Sequence, residues 1–342
     1  MIAVGAQRWL LAGAVVACVC APRPAAAESA TRARWLMGTL WTFTAESHDA
    51  APAIDAALDT VASLERRLSN WSDASELSRL NAAGEGEVSD PLFAVLDSAR
   101  ALAETTDGAF DPTVEALTLA WDLRGEGRVP SASELSAARA GVGWRRLSRA
   151  GPHVTLGGTR LDLGGIAKGF ALDRALSTLR ARGVLSASLD AGGQRLLMGA
   201  EPCSVWVAHP VERDRASVLL VLGPGSLSTS AQSEHSLRRG GNRIGHVVDP
   251  QTGQPVATRA SVSVFACSGT RADALSTALL VMGRERARRF AAAHRELGAL
   301  WLEPEGAGVV AEAWNLDVVA TAPFVTLLPS PSTTLARNRT NP

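Results

Sequence analysis

Several segments of this chain carry residue types that exceed the needs of a simple connection. Leu161-Asp162-Leu163-Gly164-Gly165-Ile166-Ala167-Lys168-Gly169-Phe170 runs from an apolar stretch into a helix. Paired glycines there let the main chain approach a ligand closely. A new helix N-terminus favours an anion such as a phosphate, and Lys168 adds a cation. The spacing matches neither the P-loop nor the dinucleotide-binding glycine pattern, and a tight structural turn fits it as well as a phosphate site does. In Gly245-His246-Val247-Val248-Asp249-Pro250-Gln251-Thr252-Gly253, His246 sits before an acid-proline turn, at the end of a short strand. An imidazole there can serve as general base or ligand contact, although a structural hydrogen bond is the commoner role of a single histidine. In Arg271 to Leu279, Asp273 and Thr277 stand four residues apart and share one helix face. A carboxylate, a hydroxyl and a nearby carbonyl are hard oxygen ligands suited to Mg²⁺ beside a phosphate; helix capping by Asp273 or Thr270 is the competing explanation. Asp107-Gly108-Ala109-Phe110-Asp111-Pro112-Thr113-Val114 reads by itself only as a turn into an extended stretch.

The elements that must position these residues follow from periodicity. Residues 34–45 are rich in aromatic and β-branched types and predict a strand. Over 51–69, Ile54, Ala57, Leu58, Val61, Leu64 and Leu68 recur at helical spacing, and Ser69-Asn70-Trp71-Ser72-Asp73 turns the chain. A second helix is predicted over 91–106, stopped by Asp107-Gly108. Residues 120–150 read as a polar insertion with a short helix, 153–163 as a strand pair, and 167–182 as a helix. From 184 to 265 the pattern is β-rich, with strands at Ser186–Leu189, Val205–His209, Val218–Val221 and Val262–Ala266. A long helix over 272–295 and strands at Ala299–Leu302 and Val318–Ala320 close the chain. Helices grouped with antiparallel strands predict an α+β fold and exclude regular βαβ alternation.

The 342 residues are 46% hydrophobic, enough for a large core. The 34 basic side chains balance 34 acidic ones, so no global field draws the chain to nucleic acid or an anionic membrane. There is no tyrosine beside nine tryptophans, so aromatic stacking on a ligand falls to Trp or Phe. Arg8 precedes an apolar run from Trp9 to Cys20, which ends in Ala25-Ala26-Ala27. This predicts a secretory signal peptide over 1–27 and a periplasmic protein. Val15-Val16-Ala17-Cys18 also loosely fits a lipoprotein box, so the one route to a membrane is a lipid anchor on Cys18. Beyond the signal only Cys203 and Cys267 remain, compatible with one bridge or two free thiols. The tail over 329–342 has no core-forming pattern and is expected to be disordered.

The order of these segments is more specific than any of them alone. It resembles the ApbE family of FAD:protein FMN transferases along nearly the whole mature length. The matching pieces are Met37-Gly38-Thr39; Leu68-Ser69-Asn70-Trp71 followed by Ser75-Glu76-Leu77-Ser78-Arg79-Leu80-Asn81; and Gly108 to Thr113. Then come Asp162 to Gly169 (D-x-G-G-x-x-K-G), Gly192-Gly193, His246 to Gly253 (H-I-I-D-P-x-T-G) and Ala272 to Leu279 (A-D-A-x-x-T-A).

The resemblance implies an ApbE-like, T-fold-like single domain over 34–328. It implies FAD contacts at Met37, Trp71, Ala109, Phe110, Asp111, Asp162, Lys168 and Val247. It implies Mg²⁺ ligands at the Gly165 carbonyl, Asp273, Thr277 and a main-chain oxygen of Ser276. The implied reaction moves FMN from FAD to a Thr or Ser hydroxyl of a target protein and releases AMP, with His246 as base and Lys168 stabilising charge. The implied partner is an exported FMN-bearing domain of a membrane redox complex. A periplasmic FAD-binding protein and a FAD pyrophosphatase are the alternatives. The chain departs from the family at Gln194, at Gln251, and across Ser228 to Gly245, where common aromatic residues are missing.

Overall fold

A computed structural model describes residues 28–329 apart from 200, 234, 235, 240 and 241. The expected signal peptide, Cys18 and the tail beyond Pro329 lie outside the described residues. The chain begins with strands β1 (Glu28–Leu36) and β2 (Thr39–Ser47), followed by helices α1 (Ala50–Leu68) and α2 (Glu76–Ala83), strand β3 (Glu85–Glu87) and helix α3 (Asp90–Thr105). Helices α4 (Glu115–Ala120) and α5 (Ala132–Ala140), short strands β4 (Ser148–Ala150) and β5 (His153–Thr155), and helix α6 (Ala167–Ala181) come next. The β-rich middle holds β6 (Ser186–Ala191), β7 (Gln194–Met198), β8 (Cys203–Ala208), β9 (Ala216–Leu222), β10 (Gly225–Ala231), β11 (Ser236–Arg239), β12 (Asn242–Gly245) and β13 (Ser261–Ala266). Helix α7 (Gly269–Ala293) and strands β14 (Gly298–Glu305), β15 (Gly308–Trp314), β16 (Val318–Thr321) and β17 (Val325–Leu327) complete it.

The central sheet runs β1-β2-β6-β7-β10-β13-β14-β15-β17. Its pairings are antiparallel except β15 with β17. Strand β14 shows why the sheet must be covered on both faces. Ala299 and Trp301 enter the core beneath the helices, whereas Leu300 and Leu302 enter a second core with Val205, Val207, Val218 and Leu220 of β8 and β9. The side-chain alternation of a strand thus feeds two cores at once. Helices α1, α6 and α7 cover one face and the small sheet β16-β9-β8 covers the other. The fold is α+β, as the grouping of elements predicts.

Some boundaries differ from expectation for physical reasons. The single strand expected over 34–45 is a hairpin, because Met37 and Gly38 both take positive φ (47° and 73°) in a two-residue turn between paired Leu36 and Thr39. The helix expected from 272 starts at Gly269, and Gly283 breaks it with φ 72° and ψ 163°. The expected strand pair over 153–163 shrinks to β5, paired with β3 and β4. Cys203 and Cys267 are free thiols. No helix among the described residues is long and apolar enough to cross a membrane.

Candidate active site

A cleft of about 1160 Å³ opens between the first turns of α6 and α7, the loop after α1, strand β8, and the segment after β12. That slightly exceeds the usual range for a drug-sized ligand, roughly 300–1,000 Å³, and suits a dinucleotide. Its walls include Met37, Trp71, Ala109, Phe110, Asp111, Asp162, Gly165, Lys168, His246, Val247, Asp273 and Thr277, residues drawn from segments far apart in sequence.

The polar corner is built where α6 and α7 cross. Gly169 and Gly269 make the crossing close: a Cβ on Gly169 would stand 2.1 Å from the Gly269 carbonyl oxygen. The free N–H groups opening α7 are taken by Asp173 of α6, whose Oδ1 accepts from Gly269 N at 2.7 Å and Oδ2 from Thr270 N at 2.9 Å. The Ser268 side chain accepts from Arg271 N. Capping is therefore done by Ser268 and Asp173, not by Asp273 or Thr270. Asp273 is only 4% exposed. Its Oδ2 accepts the Gly169 N–H at 2.9 Å, and its Oδ1 lies 4.0 Å from Lys168 Nζ. Thr277, one turn on, faces the Gly165 backbone, since a Cβ added to Gly165 would be 3.3 Å from Thr277 Oγ1.

One carboxylate, one hydroxyl and an adjacent main chain form a donor set of hard oxygens, the kind that suits Mg²⁺. Among the described residues no group of three or more His, Cys, Asp or Glu side chains could hold a metal, so any ion in this corner would draw on Asp273 together with hydroxyl and main-chain oxygens. Ser276 behaves differently from its neighbours. Its side chain is fully buried against β10, bonded to Ser230 Oγ at 2.8 Å and to the Asp273 carbonyl at 2.9 Å, and it is not part of the cleft wall.

Other predicted positions divide between lining and scaffolding. Ala109 and Phe110 line the cleft, while the Asp111 carboxylate holds its own loop by accepting from Thr113 N at 2.8 Å, Thr113 Oγ1 at 2.6 Å and Trp144 N at 3.2 Å. Met37 donates its N–H to Glu65 Oε1 at 2.7 Å. Val247 is held by Gln232, which donates to its carbonyl at 2.8 Å and accepts its N–H at 3.0 Å. His246 is half-buried on the wall. The turn after it closes on itself, with Asp249 accepting from Gln251 N at 2.8 Å and Thr252 Oγ1 at 2.9 Å. The Gln251 carbonyl accepts from Arg139, so this position is tied to α5 through its main chain. Gln194 donates to the Gly269 carbonyl at 3.0 Å, and its buried Oε1 has no partner.

One cluster on the wall has no signature in the sequence pattern. Arg124 pairs with both oxygens of Glu115 and reaches Asp162 Oδ2 at 2.9 Å, where Thr118 also donates at 3.0 Å. Glu115 is buried; desolvation pushes its pKa up, and the Arg124 guanidinium opposes that rise. The Arg124 guanidinium stands 6.0 Å from the ring centre of Trp71, which is 75% exposed at the rim. Residues 120–150 read as a polar insertion because the partners of Arg124 come from α4 and from the strand-to-helix loop; no local pattern announces them.

A dinucleotide-scale cleft with an oxygen-donor corner at two crossed helix starts defines a nucleotide-handling α+β protein. The ApbE family model matches residues 37–301, and the chain belongs to the ApbE family. The FAD:protein FMN transferase of Treponema pallidum is 33% identical over 84% of this chain and 89% of its own length. That of Vibrio cholerae is 33% identical over 73% of this chain and 78% of its own. The crystal structure of the Pseudomonas stutzeri flavinyl transferase ApbE in its apo form superposes with a TM-score of 0.75 at 29% identity, covering 84% of this chain and 95% of that one. The ApbE protein of Thermotoga maritima gives the same score at 29% identity, covering 80% and 94%.

Proposed function

We propose that this chain is a Mg²⁺-dependent FAD:protein FMN transferase that places FMN on a Thr or Ser hydroxyl of an exported target and releases AMP. It is an enzyme of the transferase class, as its curated relatives and structural neighbours are. The observation that carries the reading is the meeting of Asp273, Thr277, Lys168 and the Gly165 backbone in the cleft that also holds His246. Asp273, Thr277 and the Gly165 carbonyl would hold Mg²⁺, which when bound draws charge from the pyrophosphate oxygens. In the transfer, the target hydroxyl oxygen forms a bond to the FMN phosphorus and the bond from that phosphorus to the bridging oxygen of AMP breaks. His246 takes the hydroxyl proton, and Lys168 balances negative charge growing on the phosphoryl oxygens. The enzyme needs no nucleophile of its own, because the electrophile is the phosphoanhydride of FAD. The Trp71 indole, open at the rim, would take a planar ring of the nucleotide. The target in this reading is an exported FMN-binding domain of a membrane redox complex.

The test mixes the chain with FAD, Mg²⁺ and a candidate acceptor and reads flavin fluorescence in the denatured acceptor band. A labelled band is expected, and none when EDTA removes the metal. Tight FAD binding with an unlabelled acceptor would overturn transfer, and AMP release without labelling would identify a FAD pyrophosphatase instead.

A further inference from the structure

The cleft holds a second imidazole with a different character from His246. His209 directly follows strand β8 and is 8% exposed, yet it lines the cleft. Its Nδ1 accepts two backbone N–H groups of the turn that follows, from Val211 at 3.1 Å and from Glu212 at 2.9 Å. A nitrogen that accepts from two amides carries no hydrogen of its own, so the neutral ring has its proton on Nε2. The ring is further fixed by its own backbone, whose N–H donates to the Arg215 carbonyl at 2.7 Å. It also packs on Phe324 at 5.8 Å between centroids, and the Arg215 guanidinium stands over the Phe324 ring at 3.6 Å. Burial lowers the His209 pKa, against the pull of Glu212 and with the push of Arg215 and Arg259, and so favours the neutral ring. Nε2–H is therefore a preset donor, and no protein group among the described residues receives it.

We propose that His209 is a binding residue for the flavin nucleotide, donating its Nε2–H to an acceptor atom of FAD, either a ring carbonyl or a phosphate oxygen. This rests on the transferase reading above and refines it. Both nitrogens of His209 are committed in this tautomer, so it has no lone pair to take the hydroxyl proton. Of the two histidines that line the cleft among the described residues, His246 is the proposed base and His209 serves as a fixed donor. A donor held by two amides and an aromatic ring loses little freedom on binding, which is the condition under which one hydrogen bond contributes to affinity.

The test uses the full chain and a pair of substitutions that separate the ring's two nitrogens. His209→Asn keeps an oxygen near the Nδ1 position to receive the Val211 and Glu212 amides, and removes the Nε2–H donor. His209→Gln restores an amide N–H near the Nε2 position. FAD affinity is measured by titration without acceptor, alongside thermal melting. The expected result is a dissociation constant about tenfold weaker in His209→Asn. The melting temperature should be close to that of the parent, and affinity should recover at least partly in His209→Gln. In turnover, KM for FAD rises while kcat stays within about twofold of the parent, as for lost uniform binding. A His209→Asn variant that binds FAD as tightly as the parent overturns the proposal. So does one that raises only the KM for the acceptor, which would assign the donor to the target protein. Should His209→Asn melt well below the parent, the comparison passes to His209→Gln, and weak FAD binding there at parental stability also overturns it. A parent chain that binds no FAD would refute the transferase reading together with this one, whereas a binding parent with an indifferent His209→Asn refutes the role of His209 alone.

Discussion

Asp273 does two things at once. Its Oδ2 fastens the Gly169 amide of α6, and its charge sits beside Lys168 in the proposed metal corner. These separate cleanly by chemistry. In Asp273→Asn an amide oxygen can still accept the Gly169 N–H, but the anionic ligand is gone. The expected outcome is a loss of Mg²⁺-dependent turnover of about 100-fold or more, with a melting temperature within a few degrees of the parent. Turnover that persists at the parental rate would remove Asp273 from the metal site. The pairing of Asp273 with Thr277 was legible in the sequence because a spacing of four on a helix puts two side chains on one face. The capping alternative stayed open there, because the residue that takes the free amides of α7 is Asp173, about a hundred residues upstream. Ser276, one helical step from Thr277, turns its side chain into the sheet and spends its hydroxyl on Ser230; the resemblance implies a ligand role for its main-chain oxygen, which that hydroxyl contact leaves untested.

The elements matter through their crossings. Helices α6 and α7 approach so closely at Gly169 and Gly269 that no side chain fits between them, and this contact brings Lys168, Asp273 and Thr277 to one corner. A Cβ on Gly169 would meet backbone, the Gly269 oxygen at 2.1 Å and its carbon at 2.5 Å, and backbone cannot swing aside as a flexible side chain can. Gly169→Ala is therefore expected to cost about 3 kcal/mol or more of stability and to weaken FAD binding by moving Asp273. Chemical denaturation with a parallel FAD titration checks both, and a stable variant with parental affinity would contradict the crossing as the organiser of the site. The helical stripe of α1 was readable residue by residue, since Ile54, Ala57, Leu58, Val61, Leu64 and Leu68 are all buried. The hairpin at Met37-Gly38 was not, because a Met-Gly pair lacks the Asn-Gly or Asp-Gly signal of such turns. The Glu115–Arg124–Asp162 cluster was also hidden, since its charges meet only after α4 folds against the strand-to-helix loop.

At the scale of the molecule, one central sheet serves two cores and leaves the cleft at the edge where β8, the helix starts and the β12 exit converge. The fold class was legible from the grouping of helices and antiparallel strands. The small sheet β16-β9-β8 was not legible as a separate layer, because β16 lies nearly a hundred residues beyond β9 and joins it only in space. Export is a proposal that rests on the sequence ahead of β1: if residues 1–27 direct secretion, the mature protein recovered from the periplasm begins at Glu28. N-terminal sequencing checks this, and a lipid-modified N-terminal Cys18 would show anchoring instead. The central claim is transfer of FMN to a protein. Its most direct test is the intact mass and site mapping of an acceptor incubated with the chain, FAD and Mg²⁺. The account predicts one FMN in phosphoester linkage on a single Thr or Ser and one AMP released per acceptor modified. An unmodified acceptor beside a chain that has bound FAD would contradict it.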